Sequence, residues 1–331
     1  EPFIKRYGNV SSSEWLFAKA AEIYDHAPEV YENTYLFLEA GDWIVGQLTG
    51  NYLTSTCMAG FKAFWDKQEG YPSKAFFKAF DPGFENVTDK VIKDVRALGI
   101  RAGGLCENIA KKTGLQEGIS VSVSIIDAHA SFPAVGITAE DSLLMVMGTS
   151  LCHILVSGEQ KLINGISGVA YDGVLPGYYG YEAGQAAVGD IYDWFVNQLA
   201  PYDYACEAEE RNCTLFDIMG EKASALKAGE SGLIALDWWN GNRSMLNNSN
   251  LSGMILGMTL RTTPEEIYRA LIEATAFGTK KIIDEIEAAG VPIQHIYACG
   301  GLSRKSKLVM QVFSDVLGHK IMVSNIAQTT A

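Results

Sequence analysis

Ile296-Tyr-Ala-Cys299-Gly300-Gly301, then Lys305 to Leu317, then Ile321-Met-Val323 sets out one complete supersecondary unit in this 331-residue chain. The first run is short, apolar and closed by two glycines, which predicts a buried strand and a tight turn. Lys305 to Leu317 carries apolar residues at helical spacing, and Ile321 to Val323 is a second short strand pattern. A strand, a crossing helix and a second strand predict a parallel sheet and an α/β fold.

Upstream, a long helix from Pro264 to Ala289 is signalled at both ends and along one face. Thr263 and Glu266 have capping-box spacing, Pro264 occupies the first helical position, and Gly290 follows the end. Ile267, Leu271, Ala274 and Gly278 share one face. Leu143 to Met147 reads as a strand ending in Gly148-Thr149-Ser150. A Gly-rich loop from Gly165 to Gly180 and a helix from about Gly184 to Leu199 follow it. The first hundred residues read as mainly helical, around Ser13 to Asp25, Leu36 to Leu48 and Val87 to Leu98. The break at Pro133 to Gly136 is the expected domain boundary, giving domains 1–136 and 137–331. No internal repeat or low-complexity tract stands out.

Ser120-Val-Ser-Val-Ser-Ile-Ile-Asp127-Ala-His129 alternates like a strand with Val121, Val123 and Ile125 on one face. Asp127 is then expected at its C-terminal end, where open α/β sheets bind ligands. The same pattern also suits an aspartate that caps the next turn.

Composition narrows the function. With 39 acidic and 26 basic residues the formal charge is −13, which repels nucleic acid and anionic membranes. The longest apolar run, Leu143 to Met147, is far below the roughly 18 to 20 residues of a membrane span. Six cysteines lack CxxC or Cys/His ligand spacing, which suits reduced thiols in the cytoplasm and argues against a structural metal. The chain begins with Glu1 and ends with Gln328-Thr-Thr-Ala331 directly after a strand pattern, so both ends are expected to be cut.

Three glycine turns follow apolar segments: Gly148-Thr149, Gly184 to Gly189, and Gly300-Gly301. Small residues let backbone N–H groups approach a phosphate, and a helix N-terminus attracts anions. Taken singly, each turn reads sooner as tight packing. Neither a P-loop nor a Gly-x-Gly-x-x-Gly helix opening is present, and no Gly-x-Ser-x-Gly or His-Glu-x-x-His occurs, which disfavours the corresponding nucleotide-binding and hydrolase classes.

A broader set of motifs now carries a resemblance: Phe37-Leu-Glu-Ala-Gly-Asp-Trp-Ile-Val-Gly-Gln-Leu-Thr-Gly50, Ala59-Gly-Phe-Lys62, Ile126-Asp127-Ala-His129-Ala, Met147-Gly-Thr149-Ser, Gly180-Tyr-Glu182-Ala-Gly-Gln185, Leu236-Asp-Trp-Trp-Asn-Gly-Asn-Arg243-Ser, and Cys299-Gly-Gly-Leu302 with Met310-Gln311. Together they resemble the FGGY family of carbohydrate kinases over nearly the whole chain. The Ile-Asp-Ala-His and Asp-Trp-Trp-Asn-Gly-Asn-Arg-Ser strings resemble the members that act on L-ribulose.

The resemblance implies an actin-like, ribonuclease-H-like ATPase fold with two domains flanking a cleft. Residues 1–136 would be the remainder of the sugar-binding domain and 137–331 the nucleotide-binding domain, incomplete at its end. It implies ATP- and Mg²⁺-dependent phosphorylation of L-ribulose to L-ribulose 5-phosphate in L-arabinose catabolism. Asp127 would be the general base and contact the sugar together with Lys62 and Glu182. Thr149, Gly189, Gly301 and Lys305 would contact ATP. Without the resemblance, Lys62 reads as a solvated lysine and Glu182 as a helix-entry carboxylate; His129 reads either as a lining residue of the sugar pocket or, sooner, as a satisfied structural histidine. The implied partner is a small ketopentose, with a homodimer left open.

The family's N-terminal Asp-x-Gly-Thr turn does not occur in this sequence, so the chain is expected to be a fragment with little or no activity alone. Two rivals stand beside this reading: a same-fold kinase for D-ribulose, xylulose or glycerol, and a non-catalytic actin-like nucleotide-binding module.

Overall fold

The structure, a computed structural model, describes residues 2–326, 328 and 329. Glu1, Thr330 and Ala331, on which the expectation of cut ends partly rests, lie outside them. The described chain separates into two compact units. One comprises residues up to 140 together with 155–181, and the other 141–154 together with those from 182 on.

The first unit is built on aromatic packing. Phe64 takes Tyr7 and Trp15 edge-on at centroid distances of 4.8 and 5.1 Å, and Phe17, Phe77 and Phe84 complete the cluster. Helix α1 (Ala40–Thr49) ends at Gly50, whose left-handed backbone terminates it. Helix α2 (Thr56–Lys62) starts where the Ser55 hydroxyl accepts the Met58 N–H at 3.1 Å. Strands β1 (Arg101–Gly104) and β2 (Ser120–Ser122) form a two-stranded antiparallel sheet, and helix α3 (Asp127–Ala134) follows.

Two sequence expectations fail in this unit. Val87 to Leu98 is not an α-helix: a 3-10 turn, Val87–Lys90, gives way to Val95–Arg96, which pairs in parallel with Thr54–Ser55. Its β-branched residues accept extended pairing when a partner strand is at hand. The strand expected to reach Ile126 stops at Ser122. Its partner carries a register shift between Arg101 and Gly103 and runs out at Ile100, whose carbonyl takes the Val123 N–H at 3.0 Å. Asp127 is therefore the first residue of α3 rather than the end of a strand in an open sheet.

The large sheet contains β3 (Ser142–Met147), β4 (Leu151–Ser157), β5 (Gly168–Tyr171), β6 (Tyr179–Gln185), β7 (His295–Cys299) and β8 (Ile321–Val323), in the order β8-β7-β3-β4-β6-β5. β7 is parallel to both β3 and β8, with Ala298 opposite Met145 on one side and Val323 on the other. The three residues between β3 and β4 can join only antiparallel strands. β3 is buried at five of its six residues, as expected for a strand covered on both faces.

In the second unit, α4 (Gly189–Leu199), α5 (Pro264–Ala288), α6 (Gly301–Lys305) and α7 (Lys307–Leu317) follow in order, with α5 packed on α7. The Thr263 N–H donates to Glu266 Oε2 at 2.8 Å, so the capping box of α5 forms as the sequence predicts.

Three further boundaries differ from expectation. The Gly165 to Gly180 stretch contains β5 and the start of β6. The helix expected from Gly184 begins only at Gly189, because Gly184 lies in β6, where a Cβ would strike the Leu151 carbonyl oxygen at 2.6 Å. Lys305 ends the short α6, since the Ser306 hydroxyl accepts the Val309 N–H at 3.3 Å and starts a new helix.

Candidate functional site

In the first unit, the candidate residues stand on two helices that touch. Asp127 is exposed at the head of α3, and its Oδ1 accepts the Ala128 N–H at 2.7 Å. That bond orients the carboxylate and leaves Oδ2 without a partner among the described residues. Lys62 ends α2, half-buried, and makes no hydrogen bond or ion pair among the described residues. Lys67 nearby behaves differently, donating to the buried Asp172 at 3.2 Å.

His129, two residues after Asp127, is fully buried. Its Nδ1 lies 3.1 Å from Cys57 Sγ, and its ring meets Phe61 edge-on at 4.4 Å. Cys57 and Phe61 both belong to α2, so this histidine ties the helix carrying Asp127 to the helix carrying Lys62.

The second unit brings the three glycine turns together. Gly148 and Thr149 form the exposed tip between β3 and β4. The Val188, Gly189 and Asp190 N–H groups donate to the carbonyls of that tip at 2.8 to 3.2 Å. A Cβ on Gly189 would collide with the Gly148 carbonyl oxygen, which explains the glycine. These first N–H groups of α4 are taken by protein carbonyls, so Gly189 acts by shaping the Thr149 tip. Gly300 has φ +95°, and a Cβ there would run into Met147, the residue before Gly148.

Gly301 is unlike its neighbours. It is exposed, its φ is not positive, and a Cβ on it would meet nothing within 4 Å. No packing demand explains the missing side chain, and the space around it is open. Thr149 is exposed with its hydroxyl unpartnered among the described residues, and Lys305 is exposed at the end of α6. Glu182 is half-buried within β6, not at a helix entry, and has an interaction partner within the protein.

Besides Asp172, two buried carboxylates went unread in the sequence. Asp237 is 8% exposed and accepts the Gln185 side-chain amide at 2.6 Å. That amide also donates to the Thr275 carbonyl, and Thr279 donates to Gln185 Oε1 at 2.7 Å. Asp42 in α1 is 3% exposed and accepts bonds from the Ser124 and Thr54 hydroxyls. Burial pushes both carboxyls above the usual range, against the pull of these donors. The available signal was an aspartate set among apolar and aromatic residues, in Ala40-Gly-Asp-Trp43 and Leu236-Asp-Trp238.

Among the described residues no group of three or more His, Cys, Asp or Glu could hold a metal, and no helix is long and apolar enough to cross a membrane.

Comparison with known proteins extends this picture. Residues 143–331 match the model of the FGGY family of carbohydrate kinases, C-terminal domain. Over 332 aligned residues the chain is 52% identical to a ribulokinase of Halalkalibacterium halodurans, covering all of this chain and 59% of that protein. It is 44% identical to a ribulokinase of Staphylococcus aureus over 97% of this chain and 59% of that protein. The chain thus spans about three fifths of the length of these relatives. Among solved structures, a xylulose kinase from Rhodospirillum rubrum superposes with a TM-score of 0.81 at 24% identity, covering 99% of this chain and 64% of the other. A Plasmodium falciparum glycerol kinase with ADP gives 0.75 at 20% identity, covering 99% and 63%. The fold is accordingly the actin-like, ribonuclease-H-like one that the sequence motifs implied.

Proposed function

The chain belongs to the FGGY family of carbohydrate kinases, and on that premise we propose that the complete protein is a cytoplasmic, ATP-dependent kinase that converts L-ribulose to L-ribulose 5-phosphate. The observation that carries the nucleotide half is the meeting of the Gly148, Gly189 and Gly300 turns around an exposed Thr149, beside an open Gly301. The ketopentose half is supported by ribulokinases 44% and 52% identical to nearly all of this chain.

In this reading residues 1–136 belong to the sugar-binding domain and 137–331 to the nucleotide-binding domain. Asp127 Oδ2, without a partner among the described residues, accepts the proton of the 5-hydroxyl as its oxygen bonds to the γ-phosphorus. The bond from that phosphorus to the β,γ-bridging oxygen breaks, and ADP leaves. Such transfer asks the protein chiefly for positioning and charge stabilisation. Lys62, half-buried and unpaired among the described residues, donates to a sugar hydroxyl, and Glu182 accepts from one. Thr149, Gly301 and Lys305 line the nucleotide, while Gly189 sets the Thr149 tip.

Mg²⁺, brought with the nucleotide, would supply positive charge against the transferred phosphoryl group.

The test is ADP release by the complete protein with L-ribulose, D-ribulose, xylulose and glycerol. L-ribulose is expected to lead in kcat/KM by at least about tenfold, within reach of a pocket that hydrogen-bonds one hydroxyl. A preference for xylulose or glycerol overturns the substrate, and equal ATP hydrolysis with and without sugar overturns the kinase reading.

A further inference from the structure

We infer that the Gly41–Asp42 pair in α1 sets the two chain segments that deliver Lys62 and Asp127, which makes Asp42 a positioning residue for the sugar side of the reaction. The inference rests on the proposed kinase reading for what those two residues do. The contacts themselves are geometric.

Asp42 is 3% exposed, too deep to touch a substrate, and receives hydroxyl bonds from Ser124 and Thr54. Ser124 lies in the extended run that ends at Asp127. Thr54 precedes Ser55, the residue that caps α2 and so fixes the helix ending at Lys62. One carboxylate thereby holds the entry to both helices. A carboxylate offers two acceptor oxygens to two hydroxyls, whereas an asparagine offers one acceptor and brings an NH₂ donor.

Gly41 supplies an independent observation. A Cβ at this position would lie 2.7 Å from the Met58 methyl in α2 and 3.0 Å from Ser124 Cβ. The dipeptide thus packs closely against the same two segments that its aspartate bonds. Cys57 and Phe61 against His129 close the arrangement from the other side. Each of the three segments is thus held by the other two, so loosening α1 frees the heads of both helices.

The complete protein is compared with its Asp42→Asn, Ser124→Ala and Ser124→Thr variants by steady-state kinetics, ADP binding and hydrogen exchange. Asp42→Asn and Ser124→Ala are expected to lower kcat about 100-fold, the scale of an ångström-level misplacement. ADP affinity should stay put, and Ser124→Thr, which keeps the hydroxyl, should recover most of the rate. The Ala128 to Ala130 and Ala59 to Phe61 amides should exchange faster in Asp42→Asn and Ser124→Ala. A merely structural role would lower thermal stability while kcat per folded molecule stayed near wild type, and that result overturns the inference. If the wild-type protein releases no ADP with any sugar, the kinase reading fails by itself. The exchange data then bear on the holding role alone, and unchanged exchange at both segments overturns it. Should Asp42→Asn not fold, the Ser124→Ala and Ser124→Thr pair decides between the same outcomes.

Discussion

Asp127 is held by a single bond from its own neighbour's N–H, and everything else about its carboxylate faces outward. Replacing it with asparagine keeps that bond and the volume but removes the basic oxygen, so the fold should be untouched. A positioned general base contributes about 10²- to 10⁴-fold, and sugar-dependent ADP release by the complete Asp127→Asn protein should fall by that range. Retention of a tenth or more of the wild-type rate would exclude Asp127 as the base. The glycines divide by the same residue-level logic. Gly189 and Gly300 are required by backbone collisions inside the fold, whereas Gly301 has no such requirement.

At the scale of elements, the sequence was most legible where local signals agreed with tertiary packing. α5 carries a capping box, a proline at its first position and a continuous apolar face, and it forms within one residue of expectation. The β7, α7 and β8 unit also forms in the expected order, with the start of α7 moved from Lys305 to Lys307. Elements set by distant partners were misread. The run after Ser122 loses its strand because β1 runs out, and Val95–Arg96, inside the run expected as a helix, is extended because Thr54–Ser55 is there to pair. The site followed the same division. Its exposed glycines and charges stood out as motifs, but Asp42 bonds Ser124, 82 residues away, and Gln185 bonds Asp237 and Thr275, 52 and 90 residues away, which leaves no local pattern.

Gly278 shows how far such a network reaches into an element. It sits mid-helix in α5, where alanine would ordinarily gain about 1 kcal/mol of helix propensity. A Cβ there would overlap Asp237 Oδ2 and Gln185 Nε2, both locked in buried hydrogen bonds. Overpacking typically costs about 1–3 kcal/mol and should outweigh the propensity gain. Gly278→Ala is therefore expected to lower the urea midpoint, and an unchanged or raised midpoint would show that the network can yield.

Over the whole molecule, acidification sets opposing effects against each other. The chain carries −13 at pH 7, so approaching its pI near 4.9 relieves self-repulsion. Asp42 and Asp237, whose carboxyls are raised, also favour the folded state as pH falls, because it binds their protons more tightly than the unfolded chain does. His153 in β4 works the other way. It is fully buried, and loss of hydration pushes its pKa down from 6.5 to about 3. Between those values the unfolded chain holds a proton on this imidazole and the folded chain does not, so stability falls as pH drops through 6.5. At about 1.4 kcal/mol per pH unit, His153 removes roughly 2 kcal/mol by pH 5. Charge relief and both aspartates remain in a His153→Leu variant, which isolates the histidine. Urea unfolding at pH 7 and pH 5 should show wild type losing about 2 kcal/mol more than the variant over that interval. Equal losses would mean that acid reaches His153 in the folded strand, through an opening of β4 against β6 that costs less than the burial itself.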